Sequence, residues 1–190
     1  MLDQLNDEQL MSTFKQKHDI NNQRAFEMLY ARHKGPFYRF ITKSINNEQD
    51  AHELYQELWF KIINNKDKFN EQQKFTTWAY TIARRLLIDQ FRKTGRMAEL
   101  SRLDNSEPDE LADTGLPSPE NEFTAKQMSR QLNQTISQLP HSQRHAFLLK
   151  CDGELSIKEI AEITQQPHEK VKSQYRYAVN KIKLALEHFK

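Results

Sequence analysis

Leu155 to Ile182 reads LSIKEIAEITQQPHEKVKSQYRYAVNKI, two helical periodicities separated by a short break. Ser156 and Glu159 stand three apart at the head of the first run. That is the spacing of a capping box, in which each side chain satisfies a free amide of the opening turn. Ile157, Ile160 and Ala161 form its buried face, with Ala161 small where two helices would cross closely. TQQP, Thr164 to Pro167, supplies the turn, and Pro167 suits the start of a second helix. There Val171, Tyr175, Ala178 and Ile182 recur at helical spacing and point inward. Two helices about a turn of this length predict a helix-turn-helix.

The outward face of the second helix carries Ser173 and Tyr177, flanked by Glu169, Lys170, Gln174 and Arg176, with Lys172 nearer the edge. Hydrogen-bonding groups at the centre of such a helix can read base edges in a major groove, and cations at its margins can hold phosphates. Lys170, Lys172, Ser173, Gln174, Arg176 and Tyr177 are therefore the candidate duplex-DNA contacts. The plainer alternative is a helical hairpin with a solvated basic face.

Working outward, the rest of the chain is also helical. FTTWAYTIARRLLIDQFRK, Phe75 to Lys93, places Phe75, Trp78, Ile82 and Leu86 on one side, with Ala79 and Ala83 beside them. Thr77, Thr81, Arg84, Arg85 and Arg92 fall opposite, and Asp89 is the only acid in the stretch. Trp78 sits on the inward face, where core packing outweighs stacking on a base. Upstream, helices are predicted over Asp7–Lys17, along the apolar row of Phe26, Leu29, Phe37 and Phe40, and along Leu54, Leu58 and Ile62. Gly35-Pro36 is expected to interrupt the second of these. A further helix spans Phe123 to Ser137, and the next is closed by Gly153.

Charge divides the chain into blocks. Residues 22–97 hold 14 basic and 8 acidic groups, residues 98–122 hold 1 and 8, and residues 123–190 hold 11 and 6. Two basic units separated by an acidic segment suggest two surfaces that meet a polyanion. Pro108, Pro117, Pro119, Gly95 and Gly115 punctuate the intervening stretch. The expected fold class is all-α: two small helical domains, 1–97 and 123–190, joined by a flexible acidic linker, 98–122. Four glycines in 190 residues exclude a phosphate-cradling glycine loop. His141, His145 and Cys151 supply too few ligands for a metal site; solvent-facing histidines and a small, partly buried cysteine are expected. Paired carboxylates such as Asp109-Glu110 lie in the linker, where nothing holds them for acid–base work. No enzyme activity, metal or cofactor is expected. The absence of a membrane-length apolar run, a signal peptide or a second cysteine points to a cytoplasmic protein without membrane insertion.

Two segments together resemble one family. DAHELYQELWFKI, residues 50–62, followed by Phe75–Lys93, resembles the second conserved region of bacterial sigma factors, and LPHSQRHAFLLKCDGELSIKEIAEITQQPHEKVKSQYRYAVNKIK resembles their fourth. Their order and spacing resemble the extracytoplasmic-function (ECF) branch, which keeps only these two domains. The resemblance implies a protein that binds core RNA polymerase and directs it to minus-ten and minus-thirty-five promoter elements. It implies that Asp50, Glu53, Gln56 and Glu57 dock on the clamp helices of the polymerase. It implies minus-ten contacts from Asn70 and Lys74, in the loop that captures an unstacked base, and from Thr77, Thr81, Arg84, Arg85 and Arg92. It also implies an anti-sigma factor as partner. Arg85 stands where the family commonly has Asn, Glu169-Lys170 replaces Gly-Thr, and Gln174 replaces an Arg. These departures fall where promoter sequence is read. The rival readings are a dimeric helix-turn-helix regulator that binds operators without polymerase, and an adaptor whose basic faces meet acidic proteins.

Overall fold

The computed structural model describes residues 2–16, 20–45, 47–95 and 125–187. The acidic segment 98–122 lies outside them. All regular structure among the described residues is helical: α1 (Asp7–Lys15), α2 (Asn22–Ser44), α3 (Glu48–Asn64), α4 (Phe75–Lys93), α5 (Ala125–Gln138), α6 (His141–Cys151), α7 (Ile157–Thr164) and α8 (His168–Ala185), with 3-10 turns at Leu2–Gln4 and Lys66–Lys68. No helix among the described residues is long and apolar enough to cross a membrane.

Local chemistry explains most boundaries. Asn6 and Gln9 cap α1 reciprocally, at 2.9 and 3.0 Å. Asn47 Oδ1 accepts the Asp50 amide at 3.1 Å and starts α3. The box at α7 forms as its spacing predicts, with the Ser156 amide donating to Glu159 Oε2 at 2.7 Å and the Glu159 amide to Ser156 Oγ at 3.2 Å. Gln165 adopts the left-handed conformation at φ 54° and ends α7, and the Gln166 amide returns to the Ala161 carbonyl at 3.1 Å.

One expectation fails at Gly35-Pro36. α2 runs unbroken from Asn22 to Ser44 with Pro36 inside it. Proline forfeits one backbone hydrogen bond. Phe37, Phe40 and Ile41, all buried just beyond it, hold the helix in register. The N-terminal core is largely aromatic: Phe37 meets Tyr80 edge-on at 4.9 Å and Trp59 at 5.5 Å.

The helix-turn-helix unit packs directly on this core, α6 against α2 and α7 against α4. The Arg144 guanidinium, 5% exposed, crosses the junction. It donates to the carbonyls of Lys43 and Leu139, each at 2.9 Å, and of Ser137. Arg39 pairs with Asp152 at 2.8 Å. Gly153 was expected as a helix-closing glycine, but the positive φ beyond α6 belongs to Glu154, at 53°. Gly153 instead permits a close approach. A Cβ there would stand 2.8 Å from Tyr80 Cε2 and 2.7 Å from the Leu149 carbonyl oxygen.

The histidines also differ from expectation. Neither His141 nor His145 faces solvent freely. Their rings pack on Phe91 at 5.6 Å and Phe40 at 5.3 Å, both from the N-terminal unit. Cys151, expected to be partly buried, is exposed.

Candidate nucleic-acid interface

α8 presents the predicted face. Val171, Ala178 and Ile182 are buried, with Tyr175 partly so against the core. Lys172, Arg176 and Tyr177 are exposed, and Lys170, Ser173 and Gln174 are half-buried beside them. Arg176 lies over the Tyr177 ring at 5.5 Å, so the two form one cationic and aromatic surface. Glu169 holds Lys172 at 3.8 Å, a surface pair that phosphate can displace.

The α4 stripe divides in two. Arg85 and Arg92 are exposed, Arg92 with Asp89 at 3.4 Å. Thr77 is 7% exposed, and its hydroxyl points to Glu159 Oε1 at 3.5 Å. Thr81 donates to the Thr77 carbonyl at 2.8 Å. Arg84 is half-buried beside His145, where its charge helps push that imidazole down. α7 and α6 thus cover half of a stripe that the helical period places opposite the core.

The preceding loop is partly self-held. Asn70 Oδ1 accepts the Gln72 amide at 3.0 Å, an Asx turn that engages the carboxamide oxygen. Lys74 is exposed, yet its ammonium lies 2.9 Å from Glu159 Oε1. Burial favours the neutral acid at Glu159, but the Ser156 hydroxyl, the Lys74 ammonium and the Ser156 amide outweigh it and hold the carboxyl at about 2. One carboxylate therefore caps α7 and ties it to the loop before α4.

On α3, Glu53, Gln56 and Glu57 are exposed and Asp50 half-buried. Glu57 pairs with Lys61 at 3.4 Å, and Gln49 donates to Glu53 at 3.3 Å. Two apolar side chains extend this face, Phe60 at 67% exposure and Ile63 at 36%. Sequence reasoning missed both. The signal was available, since Phe60 lies four residues beyond Gln56 and three beyond Glu57 on one helical row. Phe60 and Ile63 leave apolar surface exposed beside this acidic row.

Comparison with known proteins gives a consistent result. A family model for sigma-70 region 2 matches residues 29–97, and one for sigma-70 region 4 matches residues 129–182. The ECF RNA polymerase sigma factor SigW of Bacillus subtilis is 30% identical over 165 residues, spanning 80% of this chain and 83% of that protein. The RNA polymerase sigma-H factor of Pseudomonas aeruginosa is 27% identical over 191 residues, 98% of this chain and 97% of that one. Two solved structures share the fold at 20% identity. CnrH in complex with the cytosolic domain of CnrY has a TM-score of 0.62 and covers 96% of this chain and 97% of that chain. The sigma factor RpoE with the anti-sigma factor NepR, from Bartonella quintana, has 0.63 and covers 85% and 96%.

Proposed function

The chain belongs to the ECF branch of the sigma-70 family, and from that premise we propose how its faces share the work of starting transcription. As a sigma factor it binds core RNA polymerase and directs promoter recognition. α8 reads the minus-thirty-five duplex through Lys170, Lys172, Ser173, Gln174, Arg176 and Tyr177. Asn70 and Lys74 in the loop, with Thr77, Thr81, Arg84, Arg85 and Arg92 on α4, engage the minus-ten element and the opened strand. Asp50, Glu53, Gln56 and Glu57 on α3 dock on the polymerase clamp, with Phe60 and Ile63 continuing their row.

One observation supports this reading: a single chain presents exposed basic side chains on two helices, Arg85 and Arg92 on α4 and Lys172 and Arg176 on α8, and a separate acidic and apolar face on α3. The polymerase performs the chemistry; the sigma factor itself catalyses nothing and acts in the cytoplasm. Residues 1–97 and 123–190 act as the two recognition domains, with 98–122 as tether. An anti-sigma factor is a further partner, supported by the two structural neighbours, both complexes. The operator-regulator alternative has no observation in its favour.

The compact arrangement adds a mechanical requirement. Thr77 cannot meet DNA while α7 covers it, so its contact with DNA requires α7 to leave α4. The test is co-migration with core polymerase on a sizing column, followed by run-off transcription. A stoichiometric complex that starts transcripts is expected. Glutamate at Arg84 and Arg85 together abolishes opening and spares polymerase binding. Surviving opening in that variant would remove α4 from the DNA interface.

A further inference from the structure

We propose that Glu8 is a positioning residue for minus-ten reading: α1 braces the base-capturing loop, and Glu8 fixes its junction with α4. The inference rests on the assignment of Asn70–Lys74 to base capture.

α4 has a defect at its start. Lys74 occupies the N-cap position and offers no side-chain acceptor to the first-turn amides. A helix start leaves such amides free and carries partial positive charge, so a lysine is a poor residue there. The acceptor comes from a distant part of the sequence. The Phe75 amide donates to Glu8 Oε1 at 2.9 Å. Carboxylate and helix start then compensate one another.

Glu8 does not act alone. Ser12 Oγ donates to Glu71 Oε1 at 3.0 Å, and Lys15 Nζ donates to the Phe69 carbonyl at 3.0 Å. Glu8, Ser12 and Lys15 are four and three residues apart, a single row on α1. They grip the loop at its end, middle and beginning in turn. From the far side, Lys66 donates to the Phe14 carbonyl at 3.1 Å and lies over the Phe14 ring at 4.2 Å. Leu10, Met11 and Phe14 bury the remaining face of α1 in the core, so the brace is itself anchored.

Between these grips, Asn70, Gln72 and Lys74 remain exposed. The backbone is held while the side chains that would touch a base stay available. Capturing an unstacked base costs unstacking and ordering, and a loop already in shape avoids the second cost.

The experiment uses the full chain with core polymerase. Promoter opening is measured on templates carrying each single-base change in the minus-ten element, for the wild type, Glu8→Ala, Glu8→Gln, Lys15→Met and Lys74→Ala. Glu8→Ala and Lys15→Met are expected to shrink the ratio between best and worst templates by about tenfold, the factor associated with one charge-assisted hydrogen bond. Glu8→Gln keeps an acceptor oxygen and is expected to restore most of the ratio. A merely structural role would lower opening on every template alike and leave the ratio intact. Polymerase affinity, measured in parallel, reports folding, and Lys15→Met serves should Glu8→Ala not fold. If Lys74→Ala shrinks the ratio while the α1 variants preserve it, the brace is refuted alone. If Lys74→Ala preserves it too, the base-capture assignment fails and the brace falls with it.

Discussion

The Glu159 carboxylate lies 2.9 Å from the Lys74 ammonium, so a charge pair ties the helix-turn-helix unit to the loop before α4. The pair is asymmetric. Lys74 keeps 64% of its side chain exposed and Glu159 only 15%. A pair this open contributes at most about 1 kcal/mol. Glu159→Gln keeps an oxygen for the Ser156 amide but removes the attraction. We expect it to raise affinity for a single-stranded minus-ten oligonucleotide about two- to fivefold, the factor such a pair supports. Fluorescence anisotropy measures this, with Glu162→Gln, exposed on the same helix, as the control for net charge. Equal gains in both variants would reduce the effect to general electrostatics.

Acid should loosen the same seam through His145. Burial, then the charges of His141, Arg144 and Arg84, lower its pKa from 6.5 to about 3. Its Nε2 is shielded and its ring lies on Phe40. The folded value lies below the unfolded one, so the neutral form is required for packing. That contribution is complete above pH 6.5 and is lost as pH falls toward 3, at no more than about 1.4 kcal/mol per unit. Glu159 adds a second loss only below its ordinary 4.5. Small-angle scattering between pH 7 and 5 should show the radius of gyration increasing. His145→Leu should flatten that response, and a pH-independent radius in the wild type would contradict it.

Gly153 tests how close the two units must come. The Cβ of Gly153→Ala would meet the Tyr80 ring at 2.8 Å and a carbonyl oxygen at 2.7 Å. Tyr80 is 1% exposed and cannot yield cheaply. Overpacking of this kind costs about 1–3 kcal/mol. Urea denaturation should show a lower midpoint with an unchanged slope. Wild-type stability would mean that the seam relaxes freely.

These contacts also explain what was legible in the sequence. The capping box at Ser156–Glu159, the turn before Pro167 and the inward row Val171, Ala178 and Ile182 are local patterns, and each appears where its spacing places it. The failures have a common cause in tertiary structure. Thr77 is polar and lies on the outward side of α4, yet α7 buries it. Pro36 breaks a helix in isolation, but flanking aromatic burial overrides that preference. Glu159 reads as a cap, and nothing nearby in the sequence announces Lys74. Glu8 is the extreme case, because the helix it caps begins 67 residues later.

Phe60 offers the most direct test of the polymerase contact proposed for α3. It is 67% exposed, although the buried Trp59 beside it shows that α3 had room in the core for an aromatic. Leaving a phenyl ring in water has no benefit to the free protein, since its burial is worth about 1.5–3 kcal/mol. Its neighbours on the helical row are Gln56 and Glu57, so a partner binding there would meet an apolar anchor rimmed by polar groups, the arrangement in which few residues dominate affinity. Phe60→Ser should therefore weaken binding to core polymerase by about tenfold or more, in the range of an interface anchor. Folding stability and the affinity of α8 for minus-thirty-five duplex should stay unchanged. Surface plasmon resonance against immobilised core enzyme separates these outcomes. Undiminished binding would exclude Phe60 from the polymerase contact proposed for α3.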